Sequence, residues 1–238
     1  MDIALSRSRI RNVVDNILNK YVTLVELRTA IDPALDFVCM SMVSLFREDR
    51  LATYISTFND EIDNLGKSKI DWGFIKSGEF SDLFVKATDN SLKTRFRERI
   101  QLNCKILVGS ISVENVHQRN FGEDWLILVA DLNPVDIMLG LKIYEQQKNR
   151  PTEFSLDSSK GQTEFDFVIE SGWHKLQGAC QLDDVRFQTS LHKLSRAGMI
   201  KEVVGMIVNY VGGRYIITPT FQSLMNFIHF RANHVVMF

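Results

Sequence analysis

The chain is poor in several things, and each shortage excludes something. Proline occurs four times in 238 residues, at Pro33, Pro134, Pro151 and Pro219. So few breakers leave room for a mostly helical chain. Cysteine occurs three times, at Cys39, Cys104 and Cys180. An odd, widely spaced set argues against a disulfide framework, and small buried hydrophobes in a reducing compartment are the expected role. Neither sign of charge dominates: the net charge is −1. No global field therefore draws the chain to nucleic acid or to an anionic membrane. Long hydrophobic runs are missing too. The most apolar stretch, Phe37 to Phe46, is far too short to span a bilayer. The first residues, MDIALSRSRIRN, hold no apolar core of signal-peptide length. A soluble, cytoplasmic protein is the expectation.

Catalytic and metal motifs are absent as well. The histidines, His117, His174, His192, His229 and His234, show no spacing suited to a metal. No glycine-rich phosphate loop and no nucleophile elbow occurs. The paired acids Asp60-Glu61 and Asp183-Asp184 read as helix-face or capping residues. No catalytic residue, no metal and no cofactor is expected, and the chain is read as non-enzymatic.

What is present is helical periodicity backed by an apolar fraction of 45%, enough for a real core. Ile10, Val14, Ile17, Leu18, Tyr21 and Val25 recur at helical spacing, which predicts one amphipathic helix over about 7–29. Asp32-Pro33 reads as a stop followed by a new start, with Asp as N-cap and Pro at the first helical position. Residues 34–65 read as largely helical, and 66–78 as a turn-rich stretch pinned by Trp72, Phe74 and Ile75. Helices follow over 80–90 and 92–110. In the second, Leu92, Phe96, Ile100, Cys104 and Leu107 form an inward stripe, flanked on both sides by Lys93, Arg95, Arg97 and Arg99. A short apolar helix over 123–131 and a capped start at Asn133-Pro134, opening a helix to Gln147, complete this part. The polar stretch 148–162 reads as a loop.

The most informative segment is 191–228, LHKLSRAGMIKEVVGMIVNYVGGRYIITPTFQSLMNFI. It reads as helix, glycine turn, hairpin, helix. In the preceding helix, capped by Asp183 or Asp184, Phe187, Leu191 and Leu194 lie within about 60° of one another and should pack inward. The opposite face carries Arg186, Thr189, His192, Lys193 and Arg196. Such a face suits a major groove, with Arg214 contributing from the hairpin. Gly198 suits a left-handed helix end, and Gly212-Gly213 a hairpin turn. Thr218-Pro219 should start the last helix, with Phe221, Leu224, Met225 and Ile228 inward. From Asp183 onward six bases meet three acids, a local net of +3. Against the DNA reading, Met206–Val211 (MIVNYV) is apolar where a DNA-touching wing usually carries Lys or Arg.

Leu191, Leu194, Gly198, Met199, Ile200, Tyr215, Ile217 and Thr218 follow a pattern that resembles the winged-helix modules of bacterial regulators. The whole chain resembles uncharacterised bacterial proteins that join a helical N-terminal region to such a module. The residues behind this second likeness are Arg95-Phe96-Arg97-Glu98-Arg99 and DLNPVDIMLGLKIYEQQ at 131–147. The resemblance implies no established activity. The expected fold is mainly α: a helical domain over 1–131 and a winged-helix domain with a small β-hairpin over 132–238. The expected function is DNA binding or regulation, with double-stranded DNA as partner. The alternative is a protein-interaction or assembly module. A homodimer is expected, formed through helix 7–29 or through MIVNYV.

Overall fold

In the computed structural model, residues 3–22, 24–41, 48–147, 176–202 and 215–228 are described. They are mainly helical, with one two-stranded antiparallel sheet. The chain forms two compact units, Met1–Asp131 with Phe227–Phe238, and Leu132–Asn226.

The first unit opens with α1 (Ile3–Tyr21) and α2 (Val25–Ser41), which pack on each other. The expected single helix over 7–29 is thus two helices, one ending at Tyr21 and the next starting at Val25. Val22 and Leu24 are both buried at the interruption. The break therefore lets apolar residues on both sides of it turn inward. The apolar residues Val14, Ile17 and Leu18 of α1 are buried within the chain.

Asp32-Pro33 does not start a helix, because α2 runs through it with Pro33 inside. Leu27, Ile31, Ala34 and Leu35 form one buried face that continues across the proline. Burying each of the Leu and Ile side chains is worth about 1.5–3 kcal/mol, so their sum exceeds the roughly 3 kcal/mol a mid-helix proline costs. Pro33 itself is exposed. Asp32 does not cap; its Oδ1 accepts from Arg11 Nη2 of α1 at 2.5 Å.

The core of this unit lies among α3 (Glu48–Leu65), α5 (Gly78–Lys93) and α6 (Arg97–Ile111). In α3, Leu51, Tyr54, Ile55, Phe58, Ile62 and Leu65 repeat at helical spacing and all are buried. Rings continue the core from α3 into α5 and the short α4 (Trp72–Ile75). Tyr54 meets Phe84 at 5.8 Å, Phe84 meets Phe80 at 6.0 Å, and Phe80 meets Phe74 at 5.9 Å. The helix expected over 92–110 begins only at Arg97, because the chain is extended at Thr94 and Phe96. Thr94 Oγ1 accepts the Phe96 N–H at 3.2 Å there, a local bond that competes with helix.

α7 (Phe121–Ala130) packs on α6, and the ring of Phe227 joins them. It lies 4.3 Å from Trp125. A Cβ on Gly109 would sit 2.5 Å from this ring, so only glycine lets Phe227 reach α6. Asn115 Nδ2 donates to both Gly109 O at 3.0 Å and Phe227 O at 3.1 Å.

In the second unit, α8 (Pro134–Gln147) starts where the Asn133-Pro134 pair places it. Asn133 Oδ1 accepts the Asp136 N–H at 2.9 Å, and Asp136 Oδ2 accepts the Asn133 N–H at 3.0 Å. This is a reciprocal capping box. A helical segment at 176–179 leads through Gln181, whose φ is 53°, to α9 (Asp184–Arg196). Asp183 caps α9, its Oδ1 accepting the Arg186 N–H at 2.8 Å. Gly198, at φ 69°, ends it. The Gly198 N–H bonds Ser195 O and the Met199 N–H bonds Leu194 O, the paired bonds of a Schellman end.

Strands β1 (Ile200–Glu202) and β2 (Tyr215–Ile217) then pair antiparallel, Ile200 opposite Ile217. The other edge of β2 is closed by a side chain. Gln147 Nε2 donates to Tyr215 O at 3.2 Å, and its Oε1 accepts the Ile217 N–H at 2.9 Å. Thr218 caps α10 (Pro219–Ile228), accepting the Phe221 N–H at 3.1 Å. Phe221, Leu224, Met225 and Ile228 are buried as the spacing predicts. The stretches 148–175 and 203–214, which carry the expected loop, MIVNYV and the Gly-Gly turn, lie outside the described residues.

One polar junction in the first unit gives a pH test. Asp71 Oδ1 accepts the Phe74 N–H at 3.0 Å, capping α4, and Oδ2 accepts from Arg119 Nη2 at 2.7 Å. Arg119 lies over the Phe74 ring at 3.9 Å and donates Nε to Ser110 O at 2.8 Å. The Phe74 amide first, and then Arg119, hold the Asp71 carboxyl below its usual value. A lowered folded pKa contributes stability above the unfolded value and loses it as pH falls through the folded one. Asn caps as Asp does, so Asp71→Asn isolates the charge. The stability gap between wild type and Asp71→Asn should hold from pH 7 to about pH 5 and close below the ordinary carboxylate range. Urea denaturation against pH reads it; a gap that widens on acidification contradicts the assignment.

Candidate interaction surface on the second unit

α9 is amphipathic, and its two faces have different chemistry. Phe187, Leu191 and Leu194 point inward and are buried, as the spacing predicts. Ser190 sits among them on the same face and is also buried. Its hydroxyl donates to Asp136 Oδ1 of α8 at 2.7 Å. Asp136 has no solvent exposure, yet both its oxygens are occupied. Oδ2 accepts the Asn133 N–H and, at 3.2 Å, Lys193 Nζ. A buried carboxylate is tolerated only when paired and hydrogen-bonded. Asp136 meets both conditions by drawing one donor from its own helix start and two from α9.

The residues expected to read DNA are therefore not equivalent. Arg186 is exposed, with Nε 3.4 Å from Asp183 Oδ2. Thr189 is exposed, but its hydroxyl donates to Val185 O at 2.7 Å in its own helix. His192 and Arg196 are exposed. Lys193 is half-buried and turned back onto Asp136. Arg214 lies outside the described residues. The exposed face thus presents Arg186 and Arg196 against Asp183 and Asp184, while the charge of Lys193 is matched internally. Acids in the first turn suit the helix dipole, but they stand where a recognition helix approaches phosphate.

Asp136, Ser190 and Val185 were not among the expected site residues. Asp136 had a signal, since it stands three residues after Asn133 before an apolar run. Ser190 had a weaker one, as a small polar residue three after Phe187 and four before Leu194. Val185 is 76% exposed in the first turn of α9, beside Arg186 and Thr189. A large aliphatic side chain left that open on a helix face is informative only once the face is known.

Among the described residues, no group of three His, Cys, Asp or Glu is arranged to hold a metal. Burial pushes the Cys104 thiol well above its ordinary range and that of Cys180 above it, which disfavours the thiolate at both. No described helix is long and apolar enough to cross a membrane. No protein-family model, curated protein or solved structure matches the chain.

Ser190→Ala should leave Asp136 Oδ1 without its donor in a dry site and cost about 1–3 kcal/mol. Thr189→Ala, one residue away and exposed, should stay within about 0.5 kcal/mol of wild type. Equal effects of the two in urea denaturation would show that Asp136 does not organise this helix pair.

Proposed function

We propose that the second unit is a winged helix that docks a protein partner through the exposed face of α9. The element order supports the module: α8, a helix ending at 179, a short turn through Gln181, α9, the strands of a hairpin, and a closing helix. The likeness to bacterial proteins that carry such a module belongs to the same reading. Gln147, closing the free edge of β2, does with one amide what a third strand does in a longer sheet.

The observation that carries the choice of partner is the charge of the face. With Lys193 engaged by Asp136, the exposed residues of α9 and its cap offer the cations Arg186 and Arg196 beside the anions Asp183 and Asp184, plus an open Val185. Duplex DNA selects a net positive face, since neutralising phosphates supplies most of the affinity. A charge-balanced face with an exposed aliphatic residue in its first turn suits the mixed surface of another protein.

Photo-crosslinking from position 185 or 192 in expressing cells tests this. Expected are adducts to one discrete protein, lost when Arg186 and Arg196 are both replaced by Glu. Duplex DNA binding whose salt slope falls by about one unit with each of Arg186→Ala and Arg196→Ala would overturn it in favour of the DNA reading.

A further inference from the structure

The outer side of α7 combines exposed apolar side chains with charge of a single sign. Trp125 to Ala130 (WLILVA) is apolar without a break, the pattern of a helix covered all round. Only one side of α7 is covered. Gly122, Trp125, Leu126 and Val129 lie within about 100° of one another at about 100° per residue, and all four are buried where α7 packs on α5 and α6. Phe121, Asp124, Ile127, Leu128 and Asp131 lie within about 120° of one another on the other side. Phe121 is 51% exposed, Ile127 is 54% exposed and Leu128 is half-buried. Of the six exposed large apolar side chains among the described residues, four fall within 113–127, so they are a cluster and not scattered single residues. The other two of the four, Val113 and Val116, belong to the 3-10 segment Val113–Gln118. Phe227 ties that segment to α7. Asn115 donates to its carbonyl, and its ring lies on Trp125, which also meets the Phe121 ring at 5.7 Å.

From Val113 to Asp131 the exposed acids are Glu114, Glu123, Asp124 and Asp131, and the stretch holds no lysine. Its one arginine, Arg119, is turned onto Asp71 and Ser110 O. Lys69 pairs with Glu114 and Lys86 with Glu123. Asp124 and Asp131 are left without a cation among the described residues. Such a face repels nucleic acid and anionic lipid, which both ask for cations. We propose that the outer face of α7 docks a basic amphipathic helix of a protein partner. The spacing selects a helix. Phe121 and Leu128 repeat after seven residues, and so do Asp124 and Asp131, so an apolar row and an acidic row run side by side over two turns. A helix that repeats an apolar residue and a Lys or Arg at the same interval meets both rows at once. Burial against Phe121 and Ile127 supplies the affinity, and the acids select the partner. This site does not rest on the docking role of α9, and either stands if the other fails.

Fluorescence anisotropy with the full chain tests it. The probe is a fluorescein-labelled helical peptide of about 18 residues, built of Leu and Lys with Leu at the spacing of one helix face. A peptide of the same pattern with Glu in place of Lys is the control. Expected is saturable binding of the Leu/Lys peptide, weakened by salt, and none of the Leu/Glu peptide. Asp124→Lys and Ile127→Ser should each weaken it by about tenfold, with the melting temperature unchanged because both side chains are exposed. Asp60→Lys, an equal change of charge at an exposed position of α3, should leave binding as in wild type. Absence of saturable binding overturns the proposal. So does equal weakening by Asp60→Lys and Asp124→Lys, since attraction to the net charge alone would then account for it, and so does full affinity in Ile127→Ser. Binding seen only after residues 229–238 are removed overturns it as well, because the face would then be covered by the chain itself.

Discussion

A carboxylate with no access to water organises the second unit. Asp136 is fully buried and takes three donors: the Asn133 N–H, the Ser190 hydroxyl and the Lys193 ammonium. Leaving any of its oxygens empty in a dry site is costly. The arrangement therefore fixes more than a contact. Ser190 and Lys193 are three residues apart, so satisfying both at once sets the rotation of α9 about its axis. That rotation is the one that buries Phe187, Leu191 and Leu194. It also decides what faces solvent, Val185, Arg186, Gln188, Thr189, His192 and Arg196, and leaves Lys193 half-buried against Asp136. The electrostatic character of the outer face is thus a consequence of an inner one.

The first unit rests on shape and apolar burial more than on charge. A row of rings from Tyr54 through Phe84 and Phe80 to Phe74 links α3, α5 and α4. Each such pair adds about 0.5–1.5 kcal/mol beyond burial. The bare backbone at Gly109 admits Phe227, and Asn115 ties both carbonyls at that crossing. Arg119 is the polar counterpart, joining Asp71, the Phe74 ring and Ser110 O in one side chain.

The sequence disclosed some elements and concealed others for identifiable reasons. Signals confined to a few neighbouring residues were legible. Asn133-Pro134, Asp183, Gly198 and Thr218-Pro219 each start or end a helix where their own chemistry dictates. The buried faces of α9 and α10 followed from spacing alone. Asp32-Pro33 carried the same local signal as Asn133-Pro134 and misled, because burial of Leu27, Ile31, Ala34 and Leu35 on both sides of Pro33 outweighs a lost N–H bond. The break at 94–96 was hidden since Leu92, Phe96 and Ile100 keep a helical rhythm across it. Lys193 was assigned to the outer face because no spacing within one helix reveals a carboxylate on another.

The charge balance of the α9 face depends on Lys193 being held by Asp136 and not free in solvent. A double-mutant cycle of Asp136→Asn and Lys193→Met, read by urea denaturation, measures that directly. A coupling of about 1–3 kcal/mol between the two positions is predicted, as for residues sharing one hydrogen-bonded network. A coupling indistinguishable from zero would contradict it. Lys193 would then belong to the exposed face of α9, and the charge balance that favours a protein partner would be lost.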